Sequence, residues 1–183
     1  MTETESDVRR RRSLNTSSRD MLLSLAVIVG LILVFLLLVP RPNQIPERTL
    51  DVSAAAANSA AQLGFTPANP ALPEGWTART ADVQKATDDL LTWHLTYTSP
   101  SGHYVGVQQT AKATEDWEDR QVTDGAENGT VAVGGKTWIV RSRVDRGITN
   151  WVLREPPITT VVTGTATEPE LSLFATAVVT DLK

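Results

Sequence analysis

Residues Leu91 to Thr110 read LTWHLTYTSPSGHYVGVQQT, and the reading of this stretch decides the fold class. Trp93, Leu95 and Tyr97 alternate with His94, Thr96 and Thr98, the period-two pattern of a strand with one apolar and one polar face. Ser99-Pro100-Ser101-Gly102 ends the alternation: Pro100 suits the second position of a type I turn, and Gly102 the left-handed position behind it. A three-residue loop closes a hairpin that pairs Tyr97 with Val105 and Leu95 with Val107. Trp93, Leu95, Tyr97, Val105 and Val107 then share one face, and His94, Tyr104 and Gln108 the other. A two-residue loop is the competing register, and it moves Val105 and Val107 to the histidine side.

The flanking sequence extends this pattern. Upstream, Asp51 to Leu63 carries Val52, Ala55, Ala56, Ala60 and Leu63 near helical spacing, with Gly64 placed to end the helix. Pro67, Pro70 and Pro73 punctuate a loop, and Leu72-Pro73-Glu74-Gly75-Trp76 delivers a large aromatic into the start of a strand. Downstream, Thr114 before Glu115, Asp116 and Trp117 reads as the N-cap of a short helix with acids in its first turn. Val131 and Val133, a Gly134-Gly135 turn, and strands over Lys136 to Val144, Ile148 to Arg154 and Thr159 to Thr163 follow, with turns at Asp145-Arg146-Gly147 and Pro156-Pro157. Thr167-x-x-Glu170 is a capping box with Pro169 in the first turn, and Leu171, Phe174, Ala175, Val178 and Leu182 keep one face of the closing helix apolar. Hairpins without repeated crossovers give an α+β fold, with a mainly antiparallel sheet of about six to seven strands packed against helices.

The chain has 183 residues, 17 Lys+Arg against 21 Asp+Glu and no Cys, and its 41% hydrophobic residues are unevenly spread. MLLSLAVIVGLILVFLLLV, residues 21–39, has no charge. At about 1.5 Å per residue such a helix covers about 28 Å, close to the hydrocarbon thickness of roughly 30 Å. Arg9 to Arg12 and Arg19 precede it, whereas only Arg41 and Arg48 follow nearby, so the charge bias sets the N-terminus in the cytoplasm. The apolar run is too long for a signal peptide, and Pro40-Arg41-Pro42 follows it instead of a small-x-small cleavage site. The expected organisation is a disordered cytoplasmic tail over residues 1–20, a transmembrane helix over 21–39 that contacts the bilayer, a Pro-rich linker over 40–48, and an extracytoplasmic domain over 49–183. That places the protein in the cell membrane, single-pass, with its C-terminal domain outside.

The residues after Val39 carry 12 basic against 17 acidic side chains, a balance that disfavours nucleic acid as a partner. Without cysteine there is no disulfide scaffold, thiolate metal site or thiol nucleophile. The two histidines, His94 and His103, fall on opposite arms of the hairpin, so neither a metal site nor a cofactor is expected. There is no Gly-x-Ser-x-Gly elbow and no phosphate loop. Glu115, Asp116, Glu118, Asp119, Asp124 and Glu127 lack the spacing that wraps calcium and read as a solvated helix face. Arg141, Arg143 and Arg154 are candidates for a basic face that meets lipid head groups or an acidic partner. Trp76 and Trp117, near element ends, are the tryptophans expected to be partly exposed and to anchor a partner.

The order of a basic tail, one apolar span, an Ala-rich helix, Leu72-Pro73-Glu74-Gly75-Trp76, Thr92-Trp93-His94, Tyr104-Val105-Gly106-Val107-Gln108, Gly135-Lys136-Thr137-Trp138 and Val161-Val162-Thr163-Gly164-Thr165-Ala166 resembles an actinobacterial family of single-pass membrane proteins catalogued only as a domain of unknown function, DUF4245. The resemblance implies a cell-envelope protein with no catalytic residue to carry over. The residues themselves lead to the same expectation: a membrane-anchored extracytoplasmic binding or accessory protein, not an enzyme, with an envelope or membrane protein as its partner. An envelope hydrolase using His94 and a structural subunit of an integral membrane complex are the alternatives.

Overall fold

The computed structural model of the protein describes residues 21–35, 50–86 and 88–182, and the chain divides into two units, residues 1–47 and 48–183. In the first unit, residues 21–35 form helix α1, apolar on all sides, with every side chain from Met21 to Phe35 exposed except the half-exposed Gly30. This described part rises about 22 Å. No helix among the described residues is long and apolar enough to cross a membrane. The last four residues of the expected span, the tail 1–20 and the linker 40–48 lie outside the described residues.

The second unit runs α2 (Val52–Leu63), β1 (Thr77–Lys85), β2 (Leu91–Thr98), β3 (Tyr104–Ala111), α3 (Glu115–Gln121), β4 (Ala126–Val133), β5 (Lys136–Arg143), β6 (Ile148–Glu155), β7 (Ile158–Gly164) and α4 (Glu168–Asp181). The seven strands make one sheet in the order β1-β2-β3-β7-β6-β5-β4, antiparallel throughout. The fold is thus α+β. Of the two hairpin registers, the three-residue loop is the one formed: Tyr97 pairs with Val105, Leu95 with Val107 and His94 with Gln108. Gly102 takes φ +83° and its N–H bonds Ser99 O at 2.9 Å, which only a residue free of a Cβ clash accepts cheaply. The strand expected to reach Val144 stops at Arg143, where a 3₁₀ turn, Val144–Arg146, leads into β6.

One sheet face carries the main core. Trp93, Leu95, Tyr97, Val105, Val107, Trp138, Trp151 and Val162 pack there with Val52, Ala56 and Leu63 of α2 and Leu171, Phe174, Ala175 and Val178 of α4. The proline-rich loop is sewn onto this core through Ala68, whose carbonyl accepts from Trp93 Nε1 at 3.1 Å and whose N–H donates to Gln109 Oε1 at 2.7 Å. Trp93 and Gln109 are cross-strand partners, so one pair of side chains holds both polar groups of a buried peptide. The opposite face is covered only in part, by α3, whose Trp117 joins Val122, Val152 and Val161 in a second, smaller core.

At the N-terminus of α4 the capping box forms as expected, and Glu170 also accepts from Ser101 Oγ in the β2–β3 turn at 2.8 Å. Hydrogen bonding from Ser101, reinforced by Ser99 and Thr167, lowers the Glu170 pKa to about 2 despite some desolvation. A carboxylate whose folded pKa is depressed contributes stability that is present above its unfolded pKa and lost as pH falls toward the folded one. The melting-temperature gap between wild type and Glu170→Gln is therefore expected to be largest above pH about 4.5 and to shrink toward pH about 2, read by thermal denaturation at stepped pH. Phe174 is fully buried between Trp76, stacked at 5.8 Å, and Tyr97, edge-on at 5.7 Å. Phe174→Ala is expected to cost about 3–5 kcal/mol in urea denaturation and to alter Trp76 fluorescence.

Candidate functional site

Helix α3 has only seven residues, too few to be stable alone, so its place depends on what it docks against. Thr114 caps it, accepting from Trp117 N at 3.0 Å, and three acids fill its first turn. The Trp117 side chain is 1% exposed and its Nε1 donates to Thr92 Oγ1 at 2.8 Å. It is a core residue, which overturns its expected role as an exposed partner anchor: an indole at this position closes the second core and satisfies its one donor within it. Trp76 is half-buried against Tyr97 and Phe174 and so keeps only part of its surface for contact.

Glu118, expected on a solvated face, is 5% exposed and lies at the centre of a charge network. Arg154 donates to it bidentately, Nε to Oε2 at 2.8 Å and Nη2 to Oε1 at 2.7 Å, and Arg141 Nη1 adds a third bond to Oε1 at 3.1 Å. Burial opposes ionisation of Glu118, but the hydrogen bonds and charges of Arg154 and Arg141 outweigh it and hold the pKa below the usual carboxylate value. Arg141 also pairs with Asp119 Oδ1 at 2.7 Å and donates to Gly125 O at 2.8 Å, which uses all three of its nitrogens. Arg143 forks onto Asp145 at 2.9 and 2.8 Å. The expected basic face is therefore not a free cationic surface, because each of the three arginines is neutralised by a carboxylate that the fold brings beside it.

Between α3 and strands β4 to β7 this network floors a cleft of about 530 Å³, bounded by Thr114, Glu115, Glu118, Asp119, Glu127, Arg141, Arg154 and Thr159. Four carboxylates face two guanidiniums there. The Arg154 side chain is 52% exposed, so one edge of its guanidinium is clamped by Glu118 while the other is open to the cleft. The cleft can hold a polar ligand, and its surplus negative charge favours a cationic group at the Glu115 and Glu127 rim.

His94 lies on the opposite flank of α3. It is half-buried beside a pocket of about 170 Å³ bounded by Lys85, Trp117, Arg120 and Gln121, and its strand partners are Asp82 and Gln108. Burial lowers its pKa, with the Asp82 charge acting the other way, so the ring is neutral at pH 7. Among the described residues no side chain hydrogen-bonds it, so the carboxylate or hydroxyl that a His94 hydrolase needs at about 3 Å does not engage it. His103, exposed at the turn, pairs with Ser99 through its backbone and does not meet it. No group of His, Asp or Glu among the described residues is arranged to hold a metal ion.

The signal for the α3 network was present in the sequence. Trp151-Val152-Leu153 and Val161-Val162 are apolar at successive positions, which means strands buried on both faces. Such strands need a helix over the second face, and Glu115 to Gln121 is the one short helix available. Removing the central charge leaves Arg154 without its carboxylate and the largely buried Arg141 with Asp119 alone, so Glu118→Gln is expected to cost about 2–4 kcal/mol. Chemical denaturation checks this, and a loss below about 0.5 kcal/mol contradicts a central role for the network.

A search of the curated proteins finds no match to the chain. A family profile described as "Protein of unknown function (DUF4245)" matches residues 13–178. That match takes in the apolar segment, the sheet, the α3 cleft and nearly all of α4. The chain therefore belongs to the DUF4245 family.

Proposed function

We propose that the protein is a non-catalytic binding or accessory module of the cell envelope, anchored by residues 21–39 with its C-terminal domain outside, and that the α3 cleft receives a basic segment of an envelope or membrane protein. The observation that carries this reading is the cleft itself: about 530 Å³ of polar space whose guanidiniums are bound to Glu118 and Asp119 while Glu115 and Glu127 enter no ion pair among the described residues. A pre-organised, net-negative concavity selects a cationic group and steers its approach. The anchor reading rests on α1, apolar around its whole circumference, on the uncharged run to Val39, and on the arginines before it.

The test is photo-crosslinking in intact membranes from a probe residue introduced at Thr159, followed by identification of the adduct. An envelope protein crosslinked through a Lys- or Arg-rich segment is expected. Its yield should fall about tenfold in Glu115→Gln/Glu127→Gln, and at about 0.5 M salt, where exposed charges are screened beyond about 5 Å. Recovery of no protein, or an adduct indifferent to both changes, removes the proposal.

A further inference from the structure

Helix α4 is drawn onto the main-core face of the sheet at two glycines. A Cβ at Gly164, the end of β7, would stand 3.0 Å from Leu171 Cδ2, and one at Gly134, in the β4–β5 turn, 3.3 Å from Thr176 Cα and Val179 Cβ. Both glycines allow an approach that a side chain would prevent. The helix therefore crosses the sheet obliquely, from the end of β7 to the turn of the edge hairpin. Near that turn Val133 and Trp138 are buried, whereas Val131 and Val140, farther from it, are half-buried. There a wedge of about 250 Å³ opens between α4 and strands β4 to β6.

Five of the residues that bound the wedge are apolar, Val131, Val140, Trp151, Ala166 and Leu171, and two are polar, Thr149 and Glu168. Glu168 opens α4 but takes no part in its capping box, which is the work of Glu170. Its exposed carboxylate enters no ion pair or hydrogen bond among the described residues, and neither does the Thr149 hydroxyl. An apolar wall with one carboxylate and one hydroxyl is the make-up of a small-molecule site, in which the apolar part supplies affinity and the polar groups fix orientation. At roughly 30 Å³ for each water-sized group, the space takes about eight carbons.

We propose that this wedge binds a small organic ammonium ion, with an aryl or alkyl group of about eight carbons against Val131, Val140 and Trp151, the ammonium at Glu168, and the Thr149 hydroxyl as a second acceptor. A carboxylate or phosphate ligand would bring its charge against Glu168, and no Lys, Arg or His bounds the wedge. A metal ion would find a single carboxylate. A protein partner needs an apolar surround, but none of the large hydrophobic residues exposed outside α1, Leu50, Tyr104 and Leu173, borders the wedge. The site lies on the sheet face opposite the α3 cleft and goes beyond the reading of that cleft.

The experiment uses the full chain in discs of zwitterionic phospholipid, titrated by calorimetry at pH about 7 with phenethylammonium, phenethyl alcohol and phenylpropanoate. Empty discs provide the reference for partitioning into lipid. The ammonium is expected to bind with Kd below about 1 mM, the alcohol about fivefold more weakly and the carboxylate at least about tenfold more weakly. Glu168→Gln should bring the three ligands to within about twofold of one another. Val131→Phe, which fills the wedge from an edge strand, should weaken all three by about tenfold or more. Glu168→Gln changes one exposed side chain at a helix end, so it decides the matter even where Val131→Phe lowers the melting temperature. The proposal is overturned if the ammonium does not bind at roughly 10 mM, if the carboxylate or the alcohol binds as tightly, if the preference survives Glu168→Gln, or if a folded Val131→Phe binds like wild type.

Discussion

A carboxylate taken out of water is tolerated only with compensating charge and hydrogen bonds, and Glu118 finds both at one place on the sheet. Arg141 comes from β5 and Arg154 from β6, so the carboxylate is satisfied only when α3 lies across those strands with its N-terminal turn over Thr159. That constraint fixes the remaining contacts of α3. The Trp117 indole reaches Thr92, Val122 closes on Val152 and Val161, and Asn150 donates to the carbonyl of Val122 at the end of the helix. A seven-residue helix without intrinsic stability is thereby positioned well enough to wall a cleft on one flank and leave a polar sheet face on the other.

With no cysteine to close loops, the buried tryptophans make the ties that a secreted domain often takes from disulfides. Trp93 binds the proline-rich loop through Ala68, Trp117 binds α3 to β2, and Trp138 returns to the carbonyl of Val133 across the Gly134-Gly135 turn. Each contributes a large buried area and one directed hydrogen bond. Two of the three join segments at least 25 residues apart in sequence, which is how packing fixes the arrangement of layers around the sheet.

What was legible in the sequence was local. Pro100 and Gly102 set the register of β2 against β3, Thr167 and Glu170 set the start of α4, and Asp51 and Gly64 bracket α2, because turns and caps are decided by neighbours within a few residues. The pairing of β3 with β7 joins residues some fifty positions apart, and no turn signal encodes it. Distance in sequence also separates Arg141 and Arg154 from Glu118, whereas Asp145 stands two residues from Arg143. Arg154 meets Glu118 across 36 positions, so a row of guanidiniums on alternating strand positions looked free until the helix lay over it. Trp117 was misread for a related reason: within its own segment it is an isolated aromatic among acids, and only the doubly apolar runs of β6 and β7 show that a second core exists to receive it.

The pairing of the arginines also reverses the expected electrostatics of the surface. Had Arg141, Arg143 and Arg154 stood free, an acidic partner or a lipid head group would have been the natural complement. Bound to Glu118, Asp119 and Asp145, they add little to the field beyond their own pairs, and the surplus of acids after residue 39 remains. Such a field repels anionic lipid and nucleic acid and draws positive charge toward the α3 cleft, where Glu115 and Glu127 enter no ion pair among the described residues.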